Sequence, residues 1–449
     1  MIDGSDDPTV ERADAPPRRR RLRRAVRSST ATVATRVVVS FGSRGAGFSR
    51  LASSHAGSVA GDALVALALA GTLFFSVPST EARQNMALYL LLTLAPFAVI
   101  GPMLGGVYQR FPAAYRSGLV ASSALRVLLA VAMTVFIDSV ALFPLAFTLL
   151  VLSRFHGISR SSVLPVVLAG RHELVSANAH IARVGVVGAA VVAPLGLLGG
   201  WLGTPWLTLL FAAGAYGWSA VAARRLPPIE LETDSPVART HPAVPRPVRL
   251  TRFATAAVRF LNGYLMVLVA FAFRDVDRGA VDFGFLIAAG GVGYVVAAMV
   301  TPLLDRRLAE EPMVMAGLAL EAGAAFVAAQ AFGLPAATAL AAAAGLAWGT
   351  AKFGFDGLLQ SAVPIGARGR AFTNSETMFQ IAWVIGALIP IIPAIPVELG
   401  LTLAGIAALA IQVVYAAALM PAVVGRRDAV IALPGKQDEK PDPGVLDVI

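Results

Sequence analysis

The feature that most constrains this chain is a series of twelve apolar stretches, each close to the length that crosses a lipid bilayer. A transmembrane helix needs about 20 mostly apolar residues. The chain is 57% hydrophobic and 14% charged, whereas soluble domains are about 45–50% apolar and about 25% charged. The sequence therefore predicts an all-α membrane protein of twelve transmembrane helices. The predicted segments are 56–77, 86–107, 117–137, 139–159, 179–200, 205–223, 254–273, 283–304, 312–332, 336–358, 377–396 and 400–423.

One long polar interruption divides these segments into two sets of six. It covers residues 224–252 and is rich in proline and charge. We predict an N-terminal six-helix half at 51–223 and a C-terminal six-helix half at 253–424, joined by this cytoplasmic linker. The flanking pieces are predicted to be a basic cytoplasmic N-terminal tail, 1–50, and a disordered cytoplasmic tail, 425–449.

Basic residues cluster in alternate loops, and loops rich in arginine and lysine lie on the cytoplasmic side of membrane proteins. The pattern predicts a multi-pass protein of the cell inner membrane with both termini in the cytoplasm. The arginine run at 18–27 is predicted to bind anionic lipid rather than nucleic acid. The predicted cytoplasmic loops hold Arg110, Arg116, Arg171, Arg224, Arg225, Arg239, Arg246, Arg249, Arg252, Arg306, Arg307, Arg368, Arg370, Arg426 and Arg427, and the opposite loops hold Arg83, Arg274 and Arg278.

The sequence carries no pattern typical of an enzyme. It has no cysteine and only five scattered histidines, and it lacks the phosphate-binding loop of an ATP-driven motor. We predict no catalytic residues, no cofactor and no metal. An ion gradient is then the expected energy source.

An internal repeat relates the two predicted halves. Three landmarks recur at offsets of 196, 199 and 198 residues. A near-constant offset predicts two parallel six-helix units. The matched pairs are Gln109-Arg110 with Asp305-Arg306, Ser162–Pro165 with Ser361–Pro364, and Gly188-Ala189 with Gly386-Ala387.

Residues 50–425 resemble the major facilitator superfamily. Gly61-Asp62 resembles the acid of the family's first helix, and Gly101–Arg110 resembles its signature in the loop between helices 2 and 3. Gly345–Asp356, continued by Arg368–Phe372, resembles a tenth-helix pattern of actinobacterial members. The resemblance implies a monomeric secondary transporter whose two halves rock around a midplane cavity that binds a small molecule.

The loop signature departs from the family at Gln109, where an aspartate usually precedes the arginine. That acid helps to latch the halves on the cytoplasmic side in the family. A neutral amide cannot form a charge-assisted hydrogen bond, which is roughly twice as strong. We predict a gate and loop motif of Gln109, Arg110, Asp305 and Arg306 with a weakened first-half latch. The alternative is that Gln109 is an ordinary loop residue.

Three ionisable residues of the first half fall inside predicted segments: Asp62, Arg126 and Arg154. Such residues cost at least about 2.5–3.5 kcal/mol at membrane depth and normally face a cavity or a partner. We predict that all three line the central cavity and that Asp62 couples transport to protons. A structural ion pair of Asp62 with Arg154 or another arginine is the competing interpretation. His55 shares a helical face with Asp62 and is predicted to be solvated at the cytoplasmic mouth.

In the second half, Lys352 and Asp356 stand four residues apart on one helical face. They are predicted to form either a structural ion pair or a gate pair near the cytoplasmic mouth. Glu321 is predicted to take an interhelix or lipid-interface role. Glu376 and Gln380 are interpreted as capping the start of the eleventh segment.

These features predict a proton-coupled exporter, an efflux antiporter, of a small amphipathic molecule held in a mainly apolar cavity. The direction depends on Gly185, Gly188 and Pro194, which resemble a fifth-helix motif of exporters and are explained equally well by close helix packing. The alternatives are an importer on the same fold, and a non-transporting membrane protein that handles lipid or assembles with partners. The expected partners are the small-molecule substrate, the proton gradient and the lipid bilayer.

Overall fold

A computed structural model describes residues 45–70, 115–168, 173–227, 244–274, 280–305, 307–391 and 395–431. All regular secondary structure within these ranges is helical. The α-helices are α1 (Ala46–Ala70), α2 (Tyr115–Val135), α3 (Leu142–Val167), α4 (Leu174–Trp201), α5 (Pro205–Arg224), α6 (Arg246–Arg274), α7 (Ala280–Leu304), α8 (Glu310–Gln330), α9 (Leu334–Ala362), α10 (Ile365–Leu388) and α11 (Val397–Ile431), and a 3₁₀ turn, Ile389–Ile391, follows α10.

Within the described ranges, nine helices are long and apolar enough to cross a membrane, namely α2 to α9 and α11. Their outer faces expose large apolar side chains, including Leu128, Val191, Ile287 and Val414. Contiguous exposed apolar surface of this kind is expensive in water and matches a lipid environment. The chain is therefore a multi-pass membrane protein.

Each predicted segment except 86–107, which lies outside the described residues, corresponds to a helix. Predicted and observed helix bounds agree closely at one end of the bundle and less well at the other end. We name this second end the basic end. The basic end is where α1 and α2 begin and α5 ends. Two hydrogen bonds of 2.7 Å show that these helix ends are neighbours: Arg50 Nη1 donates to the carbonyl oxygen of Arg225, and Arg116 Nη2 donates to that of Arg224. Here α1 begins at Ala46 instead of 56, and α3 continues to Val167 instead of 159.

The largest difference concerns the start of α10. This helix begins at Ile365, not at 377. The interpretation of Glu376 and Gln380 as helix-capping residues is therefore wrong, because both lie well inside the helix. Residues between the two positions, such as Arg368, Thr373 and Ser375, are polar yet buried.

The helices form two groups. Helices α1 to α5 pack on one another, as do α6 to α11, and the groups meet mainly where α3 and α4 contact α7, α9 and α10. Each group has an apolar core of its own, and a third cluster takes residues from both groups. The space between the groups is where a shared site can form.

Two glycines hold corresponding close contacts in the two groups. A Cβ on Gly188 of α4 would lie 2.8 Å from the carbonyl oxygen of Ala56 on α1. A Cβ on Gly386 of α10 would approach the carbonyl oxygen of Phe260 on α6 even more closely. Gly188 and Gly386 are a matched pair of the predicted repeat, so the same close helix crossing occurs at both matched positions.

Candidate functional site

A polar clasp joins the two groups at the basic end. The side-chain amide of Asn178 on α4 donates to Gln360 Oε1 on α9 at 2.6 Å, and Gln360 Nε2 donates to the carbonyl oxygen of Ser161 on α3 at 2.8 Å. All three residues are buried. Because buried amides left unbonded are costly, this clasp stabilises the closed arrangement of the basic end.

Two helix starts are also held across the groups. Asp305, which follows α7, accepts a hydrogen bond from the backbone N–H of Ser176 near the start of α4. The Gly369 N–H, near the start of α10, donates to the hydroxyl of Tyr115 at 3.3 Å. Burial raises the pKa of Asp305 above its ordinary value of 3.8, and the Ser176 hydrogen bond offsets part of that rise. A carboxylate at a helix start is favoured by the helix dipole.

An apolar layer lies beside the clasp. Phe155 and Ile158 of α3 belong to the same buried cluster as Phe355 of α9 and Phe372 and Phe379 of α10. Together with the clasp, this layer packs the two groups of described helices against each other at the basic end, and we name the clasp and the layer the seal. Of the predicted loop motif, Gln109, Arg110 and Arg306 lie outside the described residues, and Asp305 alone is placed.

Next to this seal, a cavity of about 320 Å³ lies between the groups. Helices α1, α3, α4, α7, α9 and α10 all contribute to its lining. The expectation of few charges is wrong, because ionisable residues of both helix groups line the cavity, although apolar surface still makes up the larger part of the lining. The charged lining residues are Arg154, Arg160, Lys352, Asp356 and Glu376.

Lys352 connects two carboxylates in this cavity. Its Nζ contacts Asp356 Oδ1 at 2.5 Å, one turn along α9, and Glu376 Oε1 at 2.7 Å on α10. The predicted pairing of Lys352 with Asp356 is therefore present, and Glu376 is a third member that the sequence interpretation placed elsewhere. A lysine within reach of two acids fixes α9 against α10 on the cavity wall.

Three arginines surround this cluster. Arg154 and Arg160 of α3 line the cavity. Arg259 of α6 stacks over the Trp348 ring, 4.6 Å from its centroid. Arg154 and Arg259 both act electrostatically on Glu376, and Arg160 acts on Asp356. The cavity is thus surrounded by guanidinium groups from both helix groups.

Asp62 pairs with Arg126, not with Arg154. Arg126 Nη1 lies 3.3 Å from Asp62 Oδ1, and the arginine is 0% exposed while the aspartate side chain is 33% exposed. Ser153 Oγ donates to Asp62 Oδ2 at 2.6 Å, and the Tyr216 hydroxyl donates to Oδ1 at 2.8 Å. The Arg126 guanidinium also lies over the Tyr216 ring, 4.6 Å from its centroid. The four side chains form one ion-pair network inside the first group.

This network borders the cavity. Ser153 lines the cavity and bonds Asp62, so it connects the two. Arg154 lines the cavity, whereas neither Asp62 nor Arg126, which is buried behind it, is part of the lining, so the predicted lining position is wrong for these two residues. His55 lines the cavity as well and is half-buried, and its solvation at the cytoplasmic mouth stays a prediction.

Glu321 occupies an interhelix position in the second group, one of its two predicted roles. It is 1% exposed, and its Oε1 accepts a hydrogen bond from Asn262 Nδ2 of α6 at 2.5 Å. The contact connects α6 with α8, away from the cavity.

Sequence reasoning missed Arg160, Arg259, Asn178 and Gln360. Arg160 and Arg259 lie close to the ends of the predicted segments, where a basic residue is normally an interface anchor. Nothing in the sequence distinguishes Gln360 from other polar residues near a loop. The one sequence feature that marks Gln360 is its position directly before Ser361, where a matched segment of the predicted repeat begins.

No protein-family model matches the sequence. The chain is 27% identical over 386 residues to an uncharacterized protein of Mycobacterium leprae, which covers 76% of this chain and 66% of the relative. It is 37% identical over 137 residues to an uncharacterized protein of Mycobacterium tuberculosis, or 29% of this chain and 24% of the relative. The chain thus spans slightly less than two thirds of the first relative and about a quarter of the second.

Solved structures match over most of both chains. A bacterial homologue of the iron transporter ferroportin, in an outward-facing state, superposes with a TM-score of 0.60 at 18% identity, covering 83% of this chain and 98% of that one. The major facilitator transporter FucP, in an outward conformation, gives 0.59 at 13% identity, with 83% and 98% covered. The human organic anion transporter MFSD10 gives 0.57 at 15% identity, with 82% and 99% covered.

The chain has the major facilitator superfamily fold. In that fold, the seal at the basic end and the cavity beside it lie between the two helix groups, where midplane substrate sites of secondary transporters form. The resemblance seen in the sequence is therefore confirmed at the level of the fold.

Proposed function

We propose that this chain is a twelve-helix secondary active transporter, built as two six-helix halves, that moves a small molecule by alternating access. The observation that carries the proposal is the cavity of about 320 Å³ between the helix groups, which ionisable residues line and which lies beside the clasp of Asn178 and Gln360. Ionisable groups at membrane depth are costly and normally mark a transport pathway. The basic end is the cytoplasmic end in this proposal, with both termini in the cytoplasm of a bacterial inner-membrane protein.

Proton coupling is assigned to Asp62. Its carboxylate is partly exposed, joins Arg126, Ser153 and Tyr216 in one network, and reaches the cavity through Ser153. Protonation would break the charge pair with Arg126 and change the hydrogen bonds that hold α1 against α2 and α3. A proton arriving at Asp62 can therefore bias the packing of helices that also border the substrate cavity.

The proposed direction is export of a small amphipathic molecule. Gly185 and Gly188 support it through their resemblance to an exporter motif, and both permit close packing of α4 on α1. The solved relatives do not settle the substrate, because their names specify iron, an organic anion and, for FucP, fucose with a proton. The substrate has to be inferred from the cavity of this chain.

A proteoliposome screen tests the proposal. Wild-type protein and the Asp62→Asn variant are reconstituted with a pH-sensitive dye inside, and candidate compounds are added under an imposed pH gradient. We expect compound-dependent proton flux with wild type and at least a tenfold lower flux with Asp62→Asn. Equal flux in both overturns the assignment of Asp62.

The same vesicles separate the alternatives. Uptake of the substrate in the same direction as the proton flow would indicate an importer. An absence of flux for every compound, together with a protein that co-purifies reproducibly with the chain, would indicate the non-transporting assembly role. Asp138→Asn, an exposed aspartate in the loop between α2 and α3, serves as the matched control and is expected to leave flux unchanged.

A further inference from the structure

The lining of the central cavity carries more positive than negative charge. Three cations, Arg154, Arg160 and Lys352, face two carboxylates, Asp356 and Glu376. Lys352 contacts both carboxylates. The two carboxylates can neutralise two of the three cations, so the lining carries a net charge of one positive unit. Arg259 of α6 adds to this excess behind the lining, next to Glu376. An uncompensated cation in a low-dielectric site attracts an anion strongly.

One buried donor of the lining points to a ligand that can accept a hydrogen bond. Among the described residues, His55 Nδ1, Arg160 Nε and Asn178 Oδ1 are buried without a hydrogen-bond partner, and all three side chains line the cavity. Of these atoms, Arg160 Nε is the donor that an anion can bond, whereas Asn178 Oδ1 can only accept a hydrogen bond. Arg160 donates from Nη2 to Ser161 Oγ at 3.0 Å, which leaves its Nε unused. Since buried polar groups are normally bonded, the Arg160 guanidinium is available for an acceptor in the cavity.

The lining also has an apolar part. Val59, Ile158, Val186, Phe353 and Phe372 supply aliphatic and aromatic surface beside the charged groups. A cavity of about 320 Å³ lies at the small end of ligand sites, which span about 300–1,000 Å³. It can hold a single small molecule that has one polar end and a compact hydrocarbon body.

We infer that the substrate of this cavity is a small organic monoanion, a carboxylate with an apolar body. Its carboxylate binds the guanidinium groups of Arg160 and Arg154, and its body contacts Phe353 and Phe372. Guanidinium matches carboxylate and phosphate in a two-bond geometry. Among the residues that line the cavity the excess is one charge, since Arg259 lies behind the lining, and one charge matches a carboxylate more closely than a phosphate ester, which carries about −1.5 to −2 at neutral pH. The inference deepens the proposed function and rests on it, because it takes this cavity as the substrate site.

Binding of ring-matched probes to the purified protein tests the inference. Titration calorimetry compares benzoate, benzamide, benzylammonium and phenyl phosphate, which share a ring and differ in charge. We expect benzoate to bind at least tenfold more tightly than benzamide or benzylammonium, and more tightly than phenyl phosphate. Tighter binding of phenyl phosphate assigns the site to phosphate esters and overturns the carboxylate.

Charge variants give the inference two opposite signatures. Arg160→Gln is expected to weaken benzoate binding about tenfold or more, whereas Glu376→Gln is expected to tighten it about threefold, since it removes a competing negative charge. Arg249→Gln, an exposed arginine at the start of α6, is the matched control with unchanged binding. Arg154→Gln replaces Arg160→Gln if the latter does not yield folded protein.

Equal binding of benzamide, a preference for benzylammonium, no binding of either anion, or weaker benzoate binding in Glu376→Gln would each overturn the inference. Proteoliposome flux separates this failure from that of the proposed function. Flux of a neutral or cationic compound overturns the monoanion and leaves the transporter intact. Benzoate binding without flux of any compound supports an anion site and overturns transport.

Discussion

Gln360 donates its side-chain amide to the backbone carbonyl of Ser161, the residue that occupies the matching position of the predicted repeat 199 residues earlier, at 2.8 Å. Two matched positions of a repeat can touch only near the axis that relates the repeated units. Under the proposed alternating access, the contact therefore lies where the two helix groups would separate at the basic end. A hydrogen bond at this place responds directly to opening.

Replacing Gln360 should open the basic end. Gln360→Ala removes the hydrogen bonds to Ser161 and Asn178, which together contribute about 2 kcal/mol to the closed state, a shift of roughly thirtyfold in population. Spin labels at Ser117→Cys on α2 and Arg249→Cys on α6 report the distance between the groups at this end. We expect a larger long-distance population in Gln360→Ala. The exposed Gln330→Ala serves as control, and an unchanged distance distribution in Gln360→Ala would rule out the clasp.

Arg126 should not tolerate lysine. Lysine keeps the charge but cannot at once bond Asp62 and Ser58 and lie flat over Tyr216. Charge-assisted hydrogen bonds contribute about 1.5–3 kcal/mol, so Arg126→Lys is expected to lower stability by about 2 kcal/mol after allowance for the partial exposure of Asp62. Thermal unfolding in detergent measures the loss. Arg249→Lys, at an exposed arginine of α6, is the control, and a wild-type unfolding temperature in Arg126→Lys would contradict the network.

Asp305 should make stability depend on pH in a defined direction. Burial raises the pKa of Asp305 in the folded state above its ordinary value of 3.8. The folded protein then binds more protons than the unfolded chain between these two values, so this contribution to stability is present at acid pH and is lost as pH rises through the folded pKa. As pH increases from 4 to 7, the unfolding temperature of wild type should therefore fall relative to that of Asp305→Asn.

The control for this prediction is Asp138→Asn, whose exposed side chain lies away from the helix starts at the basic end. Its unfolding temperature should follow the pH curve of wild type. A difference between wild type and Asp305→Asn that grows in favour of wild type as pH rises would mean that the Ser176 hydrogen bond outweighs burial.

Gly188 should resist substitution by alanine. The added Cβ would lie 2.8 Å from the Ala56 carbonyl oxygen, so α1 and α4 would have to separate. Overpacking of this kind costs about 1–3 kcal/mol. Gly214→Ala on α5 meets no atom within 4 Å and is expected to gain about 0.4–1 kcal/mol through reduced freedom of the unfolded chain. Equal unfolding temperatures for the two variants would contradict the close crossing.

The fold was largely accessible from the sequence because lipid selects long apolar runs, which window averaging detects. The errors concentrate at the basic end, where protein rather than lipid surrounds the helices. There α10 starts at Ile365 and buries Arg368, Thr373 and Ser375 between neighbouring helices. A hydropathy scale predicts a loop wherever polar residues follow one another, even when their side chains form hydrogen bonds inside the bundle. For this reason Glu376 was placed at a helix start.

The site was harder to predict than the fold. The cost of a charge at membrane depth singled out Asp62, Arg154, Lys352 and Asp356, of which the last three line the cavity. It could not decide whether Asp62 pairs with Arg126 or Arg154, because that choice depends on how α2 and α3 are rotated about their axes. Those rotations are set by side-chain packing between helices, which leaves no trace in the spacing of residues along one helix.

Side-specific labelling of the cavity tests the central claim most directly. The chain has no native cysteine, so Val186→Cys places a single thiol in the cavity lining. In vesicles of known orientation, a membrane-impermeant maleimide should modify this thiol from the face opposite to the basic end. It should also modify the thiol from the basic face, at a slower rate. Gln360→Ala should increase this slower rate. Modification from one face only, in both wild-type and Gln360→Ala backgrounds, would contradict alternating access.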